Sequence, residues 1–100
     1  MIIDKKYGTK EFERDYGSQT FGRALWAYRK CEEISQVDFA KFIGVSAGSL
    51  CDLEKGRRIP TPKRAAKIAR LIGHPEKYWV QLALQDSLRE ANLNYIIKVA

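Results

Sequence analysis

The sequence predicts an all-α domain of five helices with a short N-terminal extension and a short β-strand-like C-terminal tail, and three observations carry the prediction. Apolar residues recur three and four positions apart in successive runs between residues 20 and 91. Ser, Thr or Pro opens each run, and Gly closes three of them. The period then changes to two in the closing stretch LNYIIKVA.

The opening stretch, MIIDKKYGTKEFERDYG, is too polar and irregular for a core helix, so residues 1–19 read as an extension with at most a short turn around Lys10 to Tyr16. Thr20 stands where it can cap TFGRALWAYRKCEE, which places Phe21, Ala24, Leu25 and Tyr28 on one face. Ser35 caps SQVDFAKFIG, with Asp38 favoured near the helix N-terminus and Phe39, Ala40, Phe42 and Ile43 as the apolar set. Gly44 suits a left-handed turn residue, and only Val45 and Ser46 separate it from the next run. That run sets Leu50 and Leu53 inward and ends near Gly56. These two short helices, residues 35–56, form the expected helix-turn-helix core.

Thr61 and Pro62 start a fourth helix with Ala65, Ile68, Ala69 and Ile72 inward and Lys63, Lys67 and Arg70 outward, closed by Gly73. Pro75 opens a fifth, apolar over a broad arc of Tyr78, Trp79, Val80, Leu82, Ala83, Leu84 and Leu88. Such an arc suits either a buried closing helix or one that packs partly on a second chain. In residues 92–100, Tyr95, Ile97 and Val99 alternate with Asn94, Ile96 and Lys98 as in a strand. A lone strand needs a partner, and the candidates are Met1 to Asp4, the tail of a dimer mate, or a strand edge on another protein. The expected organisation is therefore an extension (1–19), a helical domain (20–91) and a tail (92–100).

Charge is concentrated in one place. Lys55, Arg57, Arg58, Lys63, Arg64, Lys67 and Arg70 stand against Glu54 alone, so this segment holds a charge equal to the chain's whole +6 and the rest balances. A basic cluster of this kind attracts nucleic acid, although solvated helix faces carry the same residues. No apolar run approaches the ~20 residues of a membrane span, and the N-terminus lacks a signal peptide's apolar core, which points to a cytoplasmic protein. Cys31 and Cys51 are expected as reduced thiols, and with His74 the sole histidine a Cys/His zinc site is not expected.

The stretch SQVDFAKFIGVSAGSLCDLEKGRRIP, residues 35–60, resembles the helix-turn-helix of the lambda-repressor-like (Xre-type) DNA-binding family, and the resemblance extends over residues 20–73. It rests on an ordered set: Ser35-Gln36, Phe39-Ala40, Gly44-Val45-Ser46, Leu53-Glu54-Lys55-Gly56 and Pro60. Ala40 keeps two crossing helices close, Gly44 supplies the turn, and Val45, Leu50 and Leu53 anchor the third helix. The resemblance implies a structural ion pair between Arg29 and Glu54 and a phosphate contact from Gln36 beside a helix N-terminus. It further implies phosphate contacts from Lys55, Arg57, Arg58 and Lys63, and base contacts from Ser46, Ala47, Gly48, Ser49 and Asp52.

Those last five depart from the long amides and guanidinium groups that usually read base edges. Ala47 can touch a thymine methyl, Ser49 can bond several edges, and Asp52 can accept from cytosine while repelling phosphate. Side-chain readout is therefore expected to be modest, with DNA shape, water and half-site spacing contributing.

Neither a catalytic triad, a metal-ligand spacing, a phosphate-binding Gly-rich loop nor a carboxylate pair stands in the sequence, so no enzyme activity and no cofactor is expected. The expected function is a sequence-specific, autoregulatory repressor that binds double-stranded DNA as a homodimer. An antitoxin that neutralises a toxin protein while repressing its own operon is the alternative, motivated by the extension, the broad fifth helix and the tail. A helix-turn-helix retained only as a dimerisation scaffold is a third.

Overall fold

The structure, a computed structural model, describes residues 19–93 and 95–97, together with the backbone of residues 2–6 and 98. The order is β1 (Ile2–Lys6), α1 (Phe21–Cys31), α2 (Gln36–Ile43), α3 (Ala47–Glu54), α4 (Pro62–Leu71), α5 (Glu76–Glu90) and β2 (Tyr95–Lys98). The turn expected around Lys10 to Tyr16, and the Asn94 and Val99 ends of the expected strand, lie outside the described residues.

Helix starts follow local chemistry. The side chains of Thr20, Ser35, Ser46 and Thr61 accept from the backbone N–H of Arg23, Asp38, Ser49 and Arg64, each satisfying a donor that has no intrahelical acceptor. Pro75 precedes α5 without a side-chain cap. Between α2 and α3, Gly44 sits at φ +78°, and the Gly44 and Val45 N–H groups return to the carbonyls of Lys41 and Ala40, which closes the turn.

One core unites the five helices. Phe21, Leu25, Phe39, Leu50, Leu53, Ile68 and Trp79 are its largest buried side chains within the helices, with Ala40, Ala65, Ala69 and Ala83 buried among them. Phe21 and Trp79 meet edge to face at 5.4 Å, and the Trp79 indole N–H donates to His74 Nδ1 at 3.3 Å. Gly22 on α1 lies against the end of α3, where a Cβ would fall 2.2 Å from the Leu53 carbonyl oxygen.

Several expectations are corrected. The first helix ends at Cys31 rather than running through CEE, because Glu33 turns to a positive φ of 55°. Phe42 points outward, 54% exposed, and only stacks its ring against buried Phe39. The arc of α5 is narrower than expected: Trp79, Leu82 and Ala83 are buried, Val80, Leu84 and Leu88 are half-buried, and Tyr78 is exposed.

The tail finds its strand partner within the chain. Strands β1 and β2 pair antiparallel, Ile2 opposite Lys98 and Ile3 opposite Ile97, with an irregularity before Lys6 meets Tyr95. Ile96 and Ile97 are both buried, so the strict alternation expected of the tail does not hold. Gln85, a buried amide on α5, donates to the Tyr95 carbonyl at 2.6 Å and accepts from the Ile97 N–H at 3.1 Å. One side chain thus satisfies two backbone groups of β2 and holds the strand on α5.

Candidate nucleic-acid interface

Helix α3 is anchored by two buried leucines, Leu50 and Leu53, and presents Ala47 and Gly48 to solvent, with Ser49 and Asp52 half-exposed beside them. Ser46 caps it: its hydroxyl accepts from the Ser49 N–H and donates to the Ser49 hydroxyl, both at 3.0 Å. The two hydroxyls thus bond one another and tie the cap to the first turn of α3.

Arg29 and Glu54 form a bidentate ion pair across the α1–α3 contact, Nε to Oε2 at 2.7 Å and Nη2 to Oε1 at 3.1 Å, with side chains only 10% and 4% exposed. Arg29 Nη1 also donates to the Ile34 carbonyl at 3.0 Å, which ties the α1–α2 loop to the same group. The Glu54 hydrogen bond holds the Arg29 pKa above its ordinary value. Gln36, at the first position of α2, donates its amide to Glu54 at 3.0 Å, and of the first-turn N–H groups that of Asp38 is capped by Ser35, which leaves those of Gln36 and Val37 without an intrahelical acceptor.

The cations surround this frame. Lys55 is the C-cap residue of α3 and is exposed, as are Arg57, Arg58 and Lys63. Arg57 lies 3.4 Å from the Asp52 carboxylate, with side chains 62% and 39% exposed, so the pair is loosely held and screens the acidic group. Arg58 shares a cavity of about 200 Å³ with Ser49 and Arg64. Lys63 shares another with Gly44, Arg64 and Lys67. Ala40, on α2, is buried, 2% exposed.

A small exposed helix face, an exposed helix N-terminus on one side and basic loops on the other reproduce the helix-turn-helix arrangement in three dimensions. The sequence profile of the helix-turn-helix family matches residues 27–79. The chain belongs to this family.

Its class is the lambda-repressor-like (Xre-type) one, whose helix-turn-helix proteins are transcriptional regulators and not enzymes. The chain is 36% identical over 44 residues to the uncharacterized HTH-type transcriptional regulator YazB of Bacillus subtilis, a match covering 44% of this chain and 64% of the relative. It is 41% identical over 46 residues to the uncharacterized HTH-type transcriptional regulator MJ0272 of Methanocaldococcus jannaschii, covering 46% of this chain and 70% of that one. The chain thus spans just under two thirds of the first relative's length. No solved structure matches the chain.

Beyond the helix-turn-helix, no described group of three or more His, Cys, Asp or Glu side chains could hold a metal ion. No helix among the described residues is long and apolar enough to cross a membrane. Sequence reasoning assigned Arg64 to the basic segment but not to the site, although it lines both basic cavities. Its position at the third residue of α4, directly after the capping turn, was the available signal.

Proposed function

We propose that this protein is a sequence-specific, double-stranded-DNA-binding transcriptional repressor that acts on its own operon in the cytoplasm, with residues 20–91 as the DNA-binding unit. The observation that supports it most is the exposed face of α3 flanked by the first turn of α2 and by the basic α3–α4 loop. In this reading α3 enters the major groove, where Ala47, Gly48, Ser49 and Asp52 meet base edges and Ser46 holds the helix start. Gln36 and Lys55, which line one cavity, and Arg57, Arg58 and Lys63 hold phosphates and fix the register without reading sequence.

Because α3 offers only short side chains, one domain makes few base contacts. Two copies bound about 34 Å apart on one face of the duplex double them, which favours a dimer.

Fluorescence-anisotropy titration against the DNA upstream of its own gene tests the proposal. Arg57→Ala with Arg58→Ala is expected to weaken binding to every duplex and lower the salt slope by about 1 for each phosphate that the arginines no longer neutralise. Ser49→Ala or Asp52→Ala is expected to change which duplex is preferred while leaving non-specific binding intact. No salt-sensitive, sequence-preferring complex, or equal behaviour of the two sets, would overturn this assignment.

A further inference from the structure

A cavity of about 370 Å³ opens where α1, the start of α2 and the end of α3 converge, lined by Arg23, Trp26, Arg29, Gln36, Glu54 and Lys55. Its floor is electrically balanced, since Arg29 and Glu54 neutralise one another and Gln36 bonds to Glu54. Its rim is not. Arg23 and Lys55 are exposed, and among the described residues neither side chain has an ion-pair partner. Between them Trp26 is 47% exposed, and among the described residues its ring meets no other aromatic.

An indole half exposed in a cavity rimmed by two cations that lack ion-pair partners among the described residues offers a ligand an aromatic face, an N–H donor and positive charge together. We propose that this cavity is a phosphodiester site for the DNA backbone, extending the interface onto α1 through Arg23 and Trp26. The inference rests on the DNA-binding reading above and adds to it a contact that lies outside the helix-turn-helix. Arg23 and Lys55 neutralise the phosphate, the Trp26 N–H donates to a phosphate oxygen, and its ring covers the adjoining deoxyribose.

Two features select a nucleic-acid backbone over a free anion. Lys55 directly follows α3, and Gln36 begins α2, so the cavity is continuous with the helix-turn-helix and can hold a strand running along its edge. The indole supplies an apolar wall that a sugar fills and a bare phosphate does not.

The chain carries its own reporter, because the other tryptophan, Trp79, is 2% exposed in the core. Acrylamide quenching of tryptophan emission is measured for the full chain alone, with a duplex at low salt, and with inorganic phosphate. The duplex is expected to shield Trp26 and phosphate to leave it open. Arg23→Ala is expected to lower the salt slope by about 0.9 and weaken binding about eightfold at ~0.1 M salt, with an unchanged thermal melt. Trp26→Phe, which keeps the ring but loses the N–H, is expected to retain more affinity than Trp26→Ala.

Equal shielding by inorganic phosphate would make this a small-anion site and overturn the backbone assignment. Unchanged quenching and an unchanged slope, in a protein whose Arg57→Ala and Arg58→Ala variants lose affinity, would overturn this inference and leave the DNA-binding reading standing. Failure to bind any duplex would overturn both.

Discussion

Replacing a helical glycine by alanine ordinarily stabilises a helix by about 0.5–1 kcal/mol, and at Gly22 the structure reverses the sign. An added Cβ would lie 2.2 Å from the Leu53 carbonyl oxygen and 2.8 Å from that of Glu54, both backbone atoms that cannot rotate away. The shortest tolerable C···O approach is about 3.3 Å, so α1 and the end of α3 must separate by about 1 Å. Overpacking of this kind costs about 1–3 kcal/mol, and the same displacement stretches the Arg29–Glu54 bonds that span the interface. Gly22→Ala is therefore expected to lose about 1 kcal/mol net at the middle of these ranges and up to about 2.5 kcal/mol, lowering Tm by about 4–8 °C for each kcal/mol. Gly48→Ala on α3 is the control, because its Cβ would meet only Ser46 Oγ at 4.0 Å and should gain the ordinary helical increment. Urea unfolding of both variants at a common m value measures the pair. A Gly22→Ala midpoint at or above that of the parent, or a shift of both variants in the same direction, would refute the close-approach argument.

Two further outcomes follow from the polar contacts. Glu54→Ala leaves Arg29 buried without its partner and is expected to destabilise by ~3–5 kcal/mol in denaturant unfolding, whereas the double replacement Arg29→Met with Glu54→Leu should recover most of that loss; a loss below about 1 kcal/mol for the single variant would count against a buried pair. Asp86 accepts from the Phe21 N–H at 2.9 Å and pairs with Arg89 at 3.1 Å, yet burial outweighs both and raises its carboxyl above the ordinary range. A raised carboxyl favours folding below its unfolded pKa of about 3.9 and loses that contribution as pH rises through the folded value, so the stability of Asp86→Asn relative to the parent should rise over that interval and then level off. Stability measured from acid to neutral pH checks it, and a relative stability that falls over the interval would contradict the direction.

What was legible in the sequence was chemistry acting over a few residues. Thr20, Ser35, Ser46 and Thr61 each cap a backbone N–H three positions on, and Gly44 takes the left-handed turn residue, so helix starts and the turn needed no knowledge of the rest of the chain. Contacts between distant segments were not legible. Gln85 reads as a solvated helix residue until β2 is laid beside it, and Asp86 reaches the first residue of α1 across 65 positions. Phe42 satisfies a helical apolar period but faces outward, because the residues that would cover it depend on how the helices cross. The same division holds for the candidate site. The basic α3–α4 loop is one continuous stretch of sequence, whereas the cavity of Arg23, Trp26 and Lys55 draws on three elements.

The long-range contacts of Asp86, Arg29 and Gly22 converge on α1 and through it bear on where α3 stands. Helix α3 has eight residues and buries only Leu50 and Leu53, about 1.5–3 kcal/mol apiece in burial. That is comparable to the ~3–5 kcal/mol at stake in the single ion pair that binds its last residue to α1. Gly22 sets how closely its end approaches α1, Arg29 binds Glu54 and the Ile34 carbonyl together, and Asp86 holds the first turn of α1 against α5. An eight-residue helix so lightly rooted in the core takes its orientation from those polar and steric contacts as much as from its leucines. The face carrying Ala47, Gly48, Ser49 and Asp52 is thus aimed by Gly22, Arg29 and Asp86, none of which lies on it, and substitutions at those three positions move that face without altering its chemistry.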